Sequence, residues 1–400
     1  MSEHGGMTMS VPKSTLTRAA FRPFFLLAGL DAILGVTVWL PLAFIAQATS
    51  VIGVPTAIWH RNALLFGTVP AILAGFLLTA LPRWTGRPAI SPFALRCLLA
   101  LWLAMRVTSL APWPAAGLMT AALFILALAF IAGDNVVRAR DHRNMKVVML
   151  LLLFWVGAMM TAGDLATDPA LRLSLASIIG LLIVIGGRIV PALTTAYLQV
   201  SDSASANLRA GLARVVEGVS ATTATVALGA WVVAPEAGLT GYACALASCG
   251  QLARVVQWRG WTIYAWPSGL VLHVAYGWII VGFALLAVHI LQPESLGRNA
   301  AVHAWTVGAF GSMSLAIMAS MIRRHSGCAF VSSRLMTLAY VSITGACVSR
   351  LLPELFAAPA RSAMALSAIF WIAAFGLFLA AFRHVLLPDF ADGHAKSCRK

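Results

Sequence analysis

Long apolar runs, punctuated by Pro, Gly and clustered Arg and Lys, recur along the whole 400-residue chain. At ~1.5 Å of rise per residue, each run is long enough to cross a ~30 Å hydrocarbon core as a helix. The pattern predicts twelve spans, at 24–46, 62–82, 91–111, 114–134, 145–163, 172–195, 212–233, 238–258, 268–291, 299–321, 333–352 and 362–386. The expected fold is therefore all-α, a polytopic membrane helical bundle forming one domain over 24–386. A cytoplasmic tail (1–23) precedes it and a basic cytoplasmic tail (387–400) follows. The connections are too short to hold a folded soluble domain, so any chemistry belongs inside the bundle or at its two faces.

Composition supports this class. Hydrophobic residues make up 60% of the chain and charged residues only 10%, with a mean hydropathy of +0.88. A soluble chain of this size could not keep so much apolar side chain from water. The net charge of +15 would suggest nucleic acid in a soluble protein. Here it reads as positive-inside bias beside anionic headgroups, with no nucleic-acid partner. Of the 28 basic residues, only Arg61, Arg106, Arg172, Arg298, Arg350 and Arg361 fall on the side opposite the N-terminus, and Arg188 lies within a span. Both termini are thus expected in the cytoplasm. The polar, basic start "MSEHGGMTMSVPKSTLTRAAFRPFF" reads as leading into a permanent first helix rather than a cleaved signal.

The six cysteines show no metal-type or haem-attachment spacing, and most lie in apolar segments, which favours free thiols over disulfides. No parallel or inverted repeat stands out.

Ionisable residues inside spans are costly, and each is by default a functional candidate. His60, His289 and His303 belong to the outer side. His273 and His325 lie towards the cytoplasm, with Arg188 in "GGRIVP" and with Arg22, Arg83 and Arg87 at the ends of the first two spans. A haem iron takes two axial imidazoles, and its propionates take forked guanidinium donors. The outer group offers His60 with His303, and the inner group offers His273 with His325. The blander alternatives are that an intramembrane His bridges helices by a hydrogen bond, and that Arg83, Arg87, Arg323 and Arg324 merely anchor the inner leaflet. Arg188 resists that reading, because the preceding glycines admit a close neighbour. The residues alone leave a redox protein, a transporter and a membrane scaffold open.

A set of segments narrows this. "FRPFFLLAGL" (21–30), "WHRNALLFG" (59–67), "AGFLLTALPRWTGRP" (74–88), "GGRIVPALT" (186–194), "LHVAYGWIIVG" (272–282), "AVHAWTVGAFGSM" (301–313) and "RRHSGC" (323–328) occur in this order. Together they resemble the NnrS family, whose members are haem- and copper-associated multi-pass proteins of nitric oxide metabolism and nitrosative stress. The resemblance implies haem b, nitric oxide as a small-molecule ligand in defence or denitrification, a membrane electron donor, and a bacterial inner (cytoplasmic) membrane. It carries the family's metal-ligating histidines onto His60, His273, His303 and His325, and its arginines onto Arg22, Arg87 and Arg188. Asn62 and Ala63 stand where the family usually has a second His and a Glu, which argues against copper here. Ser326–Gly327–Cys328 replaces a Thr–Gly–Arg, so a Cys328 thiolate is a further possible ligand.

Overall fold

The computed structural model describes residues 19–44, 50–51, 54–110, 114–165, 167–198, 206–326, 333–356 and 358–387. Cys328 and nearly all of both expected tails lie outside these.

The chain runs α1 (Phe21–Phe44), a two-residue antiparallel pair β1 (Ser50–Val51) and β2 (Val54–Pro55), then α2 (Thr56–Ala63), a π-helical stretch (Leu64–Thr68) and α3 (Val69–Thr85) as one rod. There follow α4 (Pro92–Thr108), α5 (Pro114–Arg138), α6 (Met145–Ala162), α7 (Thr167–Leu198), α8 (Ala206–Val233) and α9 (Gly238–Gln257). A 3₁₀ turn (Gly260–Ile263) leads to α10 (Pro267–Leu291). Next come α11 (Arg298–His303), a second π stretch (Ala304–Gly311) and α12 (Ser312–Ser326), again continuous, and finally α13 (Arg334–Phe356) and α14 (Ala360–Leu386). Among the described residues this makes twelve long rods, one for each expected span. Ten of them are both long and apolar enough to cross a membrane. The protein is a multi-pass membrane helical bundle in a lipid setting.

Consecutive helices pack as hairpins, and α1 lies against α14, so the two ends of the domain meet. Three rods form the interior. In the most apolar window of Thr56–Thr85, Arg298–Ser326 and Thr167–Ala196, 89%, 72% and 67% of residues are buried, against at most 50% in the other candidate spans. The outermost side chains, such as Phe130 and Val226, are apolar and exposed, as a lipid-facing surface requires.

The two innermost rods share a device. Each enters from the side where α1 ends, carries a His in its first turns (His60, His303), and then opens into a π stretch. A π stretch inserts a residue and re-aims every side chain after it, and such bulges concentrate at functional sites. The second one is held by Trp305, which is sandwiched between Trp231 and Phe283 and donates its Nε1–H to Ile279 O (3.2 Å). The indole lies directly on Gly282, where a Cβ would collide with it, whereas a Cβ at Gly277 on the same helix meets open space. Gly282→Ala should therefore lower stability by about 1–3 kcal/mol through overpacking, while Gly277→Ala should be neutral or stabilising by up to about 1 kcal/mol. Thermal unfolding of the two variants in detergent checks this, and equal effects would contradict the packing.

Candidate functional site

A cavity of about 510 Å³ opens at the side where α1 ends. Along α7 its wall runs from Asp168 to Leu182, about 21 Å at helical rise, so it reaches from the rim to mid-bundle. The deeper wall is apolar (Leu175, Ile178, Leu182, Phe310, Trp371), and the polar groups gather nearer the mouth.

Of the three outer histidines, His60 and His303 line it. The His60 ring stacks on Trp39, with centroids 4.4 Å apart, and its Nδ1 faces Gly35 O at 3.4 Å. The Nδ1 of His303 faces Asn299 O at 2.8 Å. A carbonyl can only accept, so each ring carries its proton on Nδ1 and presents Nε2 as a bare lone pair. Neither Nε2 has a hydrogen-bond partner among the described residues. This is the tautomer that a backbone carbonyl imposes on a metal-ligating imidazole.

Four arginines from four helices line the same cavity: Arg61, Arg172, Arg298 and Arg350. Asp168 is the one acid in the wall, and it pairs loosely with Arg298 at 3.9 Å. Arg61 bonds only its neighbour Asn62 (3.1 Å). Among the described residues no carboxylate lies within 4 Å of Arg61, Arg172 or Arg350. Asp168 acts on Arg61 and Arg172, and Glu354 on Arg350, at longer range. With four guanidinium groups and one acid in its wall, the mouth is positive and suits a negatively charged group. Charge counting had put these arginines on the outer side without nominating them. The signal was their sign, against the prevailing bias of that face.

The inner candidates are placed differently. His273 is buried, bonds Thr194 through Nε2 (2.8 Å), and meets Trp258 edge-on; Gly260 backs its Nδ1 so closely that no Cβ would fit. His325 is exposed at the end of α12 and rests on Phe21, one residue before Arg22. The two imidazoles thus serve separate contacts, on α7 and α1. Arg87 donates to Asn135 (3.1 Å) and lies 3.8 Å from Asp134. Arg188 donates to Asn144 Oδ1 and to Arg143 O (2.7 Å). What the glycines of "GGRIVP" admit is Arg254, whose guanidinium lies on Gly187 and binds Glu217, Tyr276 (2.6 Å) and Ile183 O (3.2 Å). Arg254 and Arg323 had been counted with the inner loops. Both are buried, and Arg323 bonds Ser268 at 2.9 Å.

Asn62 and Ala63 do not face the large cavity. With Trp59 and Phe66 they line a second one, of about 40 Å³, on the other side of α2. Arg106 also lines it, and is paired with Asp31 of α1 (2.8 Å), which in turn accepts from Thr68 (2.8 Å). Asp31, an acid in mid-span, was legible in the sequence and went unnominated. Among the described residues, no group of three or more His, Cys, Asp or Glu is placed to hold a metal ion.

Because Arg87 and Arg188 are engaged with the α5–α6 turn, far from the large cavity, Arg87→Gln and Arg188→Gln should each cost about 1–2 kcal/mol of stability. Whatever the large cavity binds should stay bound, which thermal shift measured alongside ligand content would check.

No curated protein matches the chain. A family model described as "NnrS protein" matches residues 15–388, nearly the full length. On that match the chain belongs to the NnrS family and so to proteins concerned with nitric oxide.

Proposed function

We propose that the large cavity holds haem b, which His60 and His303 would ligate and whose propionates Arg61, Arg172, Arg298 and Arg350 would neutralise. One observation carries this: two imidazoles with Nδ1 capped and Nε2 bare share a single cavity with four guanidinium groups that outnumber the acid in its wall. The volume lies within the ~300–1,000 Å³ usual for cofactor pockets. The apolar depth suits a macrocycle and the charged mouth suits its carboxylates.

When bound, haem supplies an iron that cycles between two oxidation states and takes nitric oxide once an axial position is free. The chain's own part is to hold the imidazoles in the ligating tautomer, exclude water from the apolar depth, and neutralise the propionates. In this reading the protein sits in a bacterial inner membrane with both termini cytoplasmic. The cavity opens outwards, nitric oxide is its small-molecule ligand, and a membrane electron donor reduces it. Copper is not part of the proposal, since Asn62 and Ala63 offer neither imidazole nor carboxylate. His273 and His325, which make separate contacts, remain inner alternatives to test one at a time.

The excess of arginine over acid in the cavity wall also favours a second reading, a transporter of a small anion. It predicts flux in proteoliposomes and no tightly bound chromophore.

Protein purified after expression with haem supply should show a Soret band and a pyridine haemochrome of b type. His303→Ala and His60→Ala should each shift or abolish the band, while His289→Ala, at an interfacial carbonyl contact, should not. A colourless wild type overturns the haem reading. Loss of the band only in His273→Ala or His325→Ala moves the haem to the inner side.

A further inference from the structure

The haem reading leaves unused a hydrogen-bonded chain that joins the two cavities flanking α2. At one end Arg106 lines the small cavity, together with Asn62 and Ser109. At the other end Thr68, the last residue of the first π stretch, lines the large one. Between them stands Asp31, 4% exposed, with Oδ1 accepting from Arg106 Nε (2.8 Å) and Oδ2 from the Thr68 hydroxyl (2.8 Å). Arg106 from α4 is the one charged group acting on Asp31 among the described residues. Thr68 faces it from the π stretch, and α14 contributes Trp371, which is bonded to Ala32 O and does not titrate.

The chain threads the π turn because residue 67 is glycine. A Cβ there would lie 2.5 Å from Arg106 Nη1 and 3.2 Å from Asp31 Oδ2. Trp102 holds the turn by donating to Gly67 O (3.1 Å). A purely structural ion pair needs no access from outside. This one has space at the Arg106 end, in a mostly apolar cavity where Arg106, Asn62 and Ser109 supply the polar wall, with room for about three water molecules. The large cavity is one hydroxyl away at the other end.

We propose that Asp31 is a proton-transfer site, taking protons from water in the small cavity beside Arg106 and passing them through Thr68 to a group reduced in the large cavity. The proposal rests on the reading that the large cavity holds a redox cofactor. An electron arriving in a low-dielectric cavity draws a proton after it. A water-borne proton forms an O–H bond on Asp31. The Thr68 hydroxyl then gives its proton to an oxygen or nitrogen of the reduced ligand and recovers one from Asp31. One proton leaves the small cavity, one arrives on the acceptor, and both side chains return to their starting state. The electron comes from a one-electron donor, for which dithionite stands in below.

The test uses the full chain in nanodiscs, titrated with dithionite at several pH values, with a pH indicator following proton uptake on reduction. The wild-type midpoint should fall as pH rises, with uptake accompanying reduction. Asp31→Asn should keep its Soret band but lose both the pH dependence and the uptake. Thr68→Val, which leaves the ion pair intact, should keep the band and slow the uptake by about 10²-fold. A wild-type midpoint independent of pH, or pH dependence retained in Asp31→Asn, overturns the proposal. If Asp31→Asn does not fold, Thr68→Val decides alone, and uptake at the wild-type rate overturns it. A colourless wild type overturns both readings, and the missing spectrum distinguishes that outcome from failure of the proton site alone.

Discussion

Hydrocarbon does not tolerate an unpaired charge, and the interior of this bundle follows from that constraint. Arg254 sits in α9 because Glu217, Tyr276 and a carbonyl of α7 surround it, and because Gly187 leaves space for its planar head. Arg106 sits in α4 because Asp31 answers it from α1. Arg188 and Arg87 reach to the α5–α6 turn for their oxygens. At the mouth of the large cavity the balance is looser, since the wall holds four guanidinium groups and one carboxylate, with no ion pair closer than 3.9 Å among the described residues. Such an excess of positive charge suits a ligand that brings negative charge.

The twelve rods were legible in the sequence, because a helix in lipid must bond its own backbone and be apolar over its length. Each expected span overlies one rod, and the error lies at the ends. The second rod begins at Thr56 rather than 62, which puts His60 and Arg61 within the helix instead of at its mouth. The cause is the β1–β2 hairpin, a local turn that brings α2 back beside α1 before the strongly apolar stretch begins.

The site was only partly legible. Depth and residue type paired His60 with His303, and the structure sets them in one cavity. The same reasoning paired His273 with His325, and the structure gives each its own contact, with Thr194 of α7 and Phe21 of α1. Depth gives one coordinate of three, and which helices adjoin is set by packing that no single span reveals. The arginines show the same limit. Arg22, Arg87 and Arg188 were nominated because they stand in short motifs with Gly or Pro, whereas Arg172, Arg298 and Arg350 stand in no motif and meet only when α7, α11 and α13 converge. Proline and glycine report on the backbone nearby. They say nothing of what a distant helix brings.

The π stretches connect these levels. Each costs its rod regular hydrogen-bond geometry, and neither is predictable from hydrophobic period, since both runs are apolar throughout. Their position has consequences that straight helices would not produce. The first lies between His60, on the large cavity, and the continuation of its rod through the bundle. It holds Gly67 and Thr68 where Trp102, Arg106 and Asp31 can reach them. A regular helix through 64–68 would rotate Thr68 away from either Asp31 or the cavity, because one residue fewer turns everything beyond it by about 100° at 3.6 residues per turn. The inserted residue is therefore what lets one helix present an imidazole, and about two turns later a hydroxyl, to the same cavity while a carboxylate stands behind the second. The ligand site and the buried ion pair are two consequences of a single irregularity in the backbone.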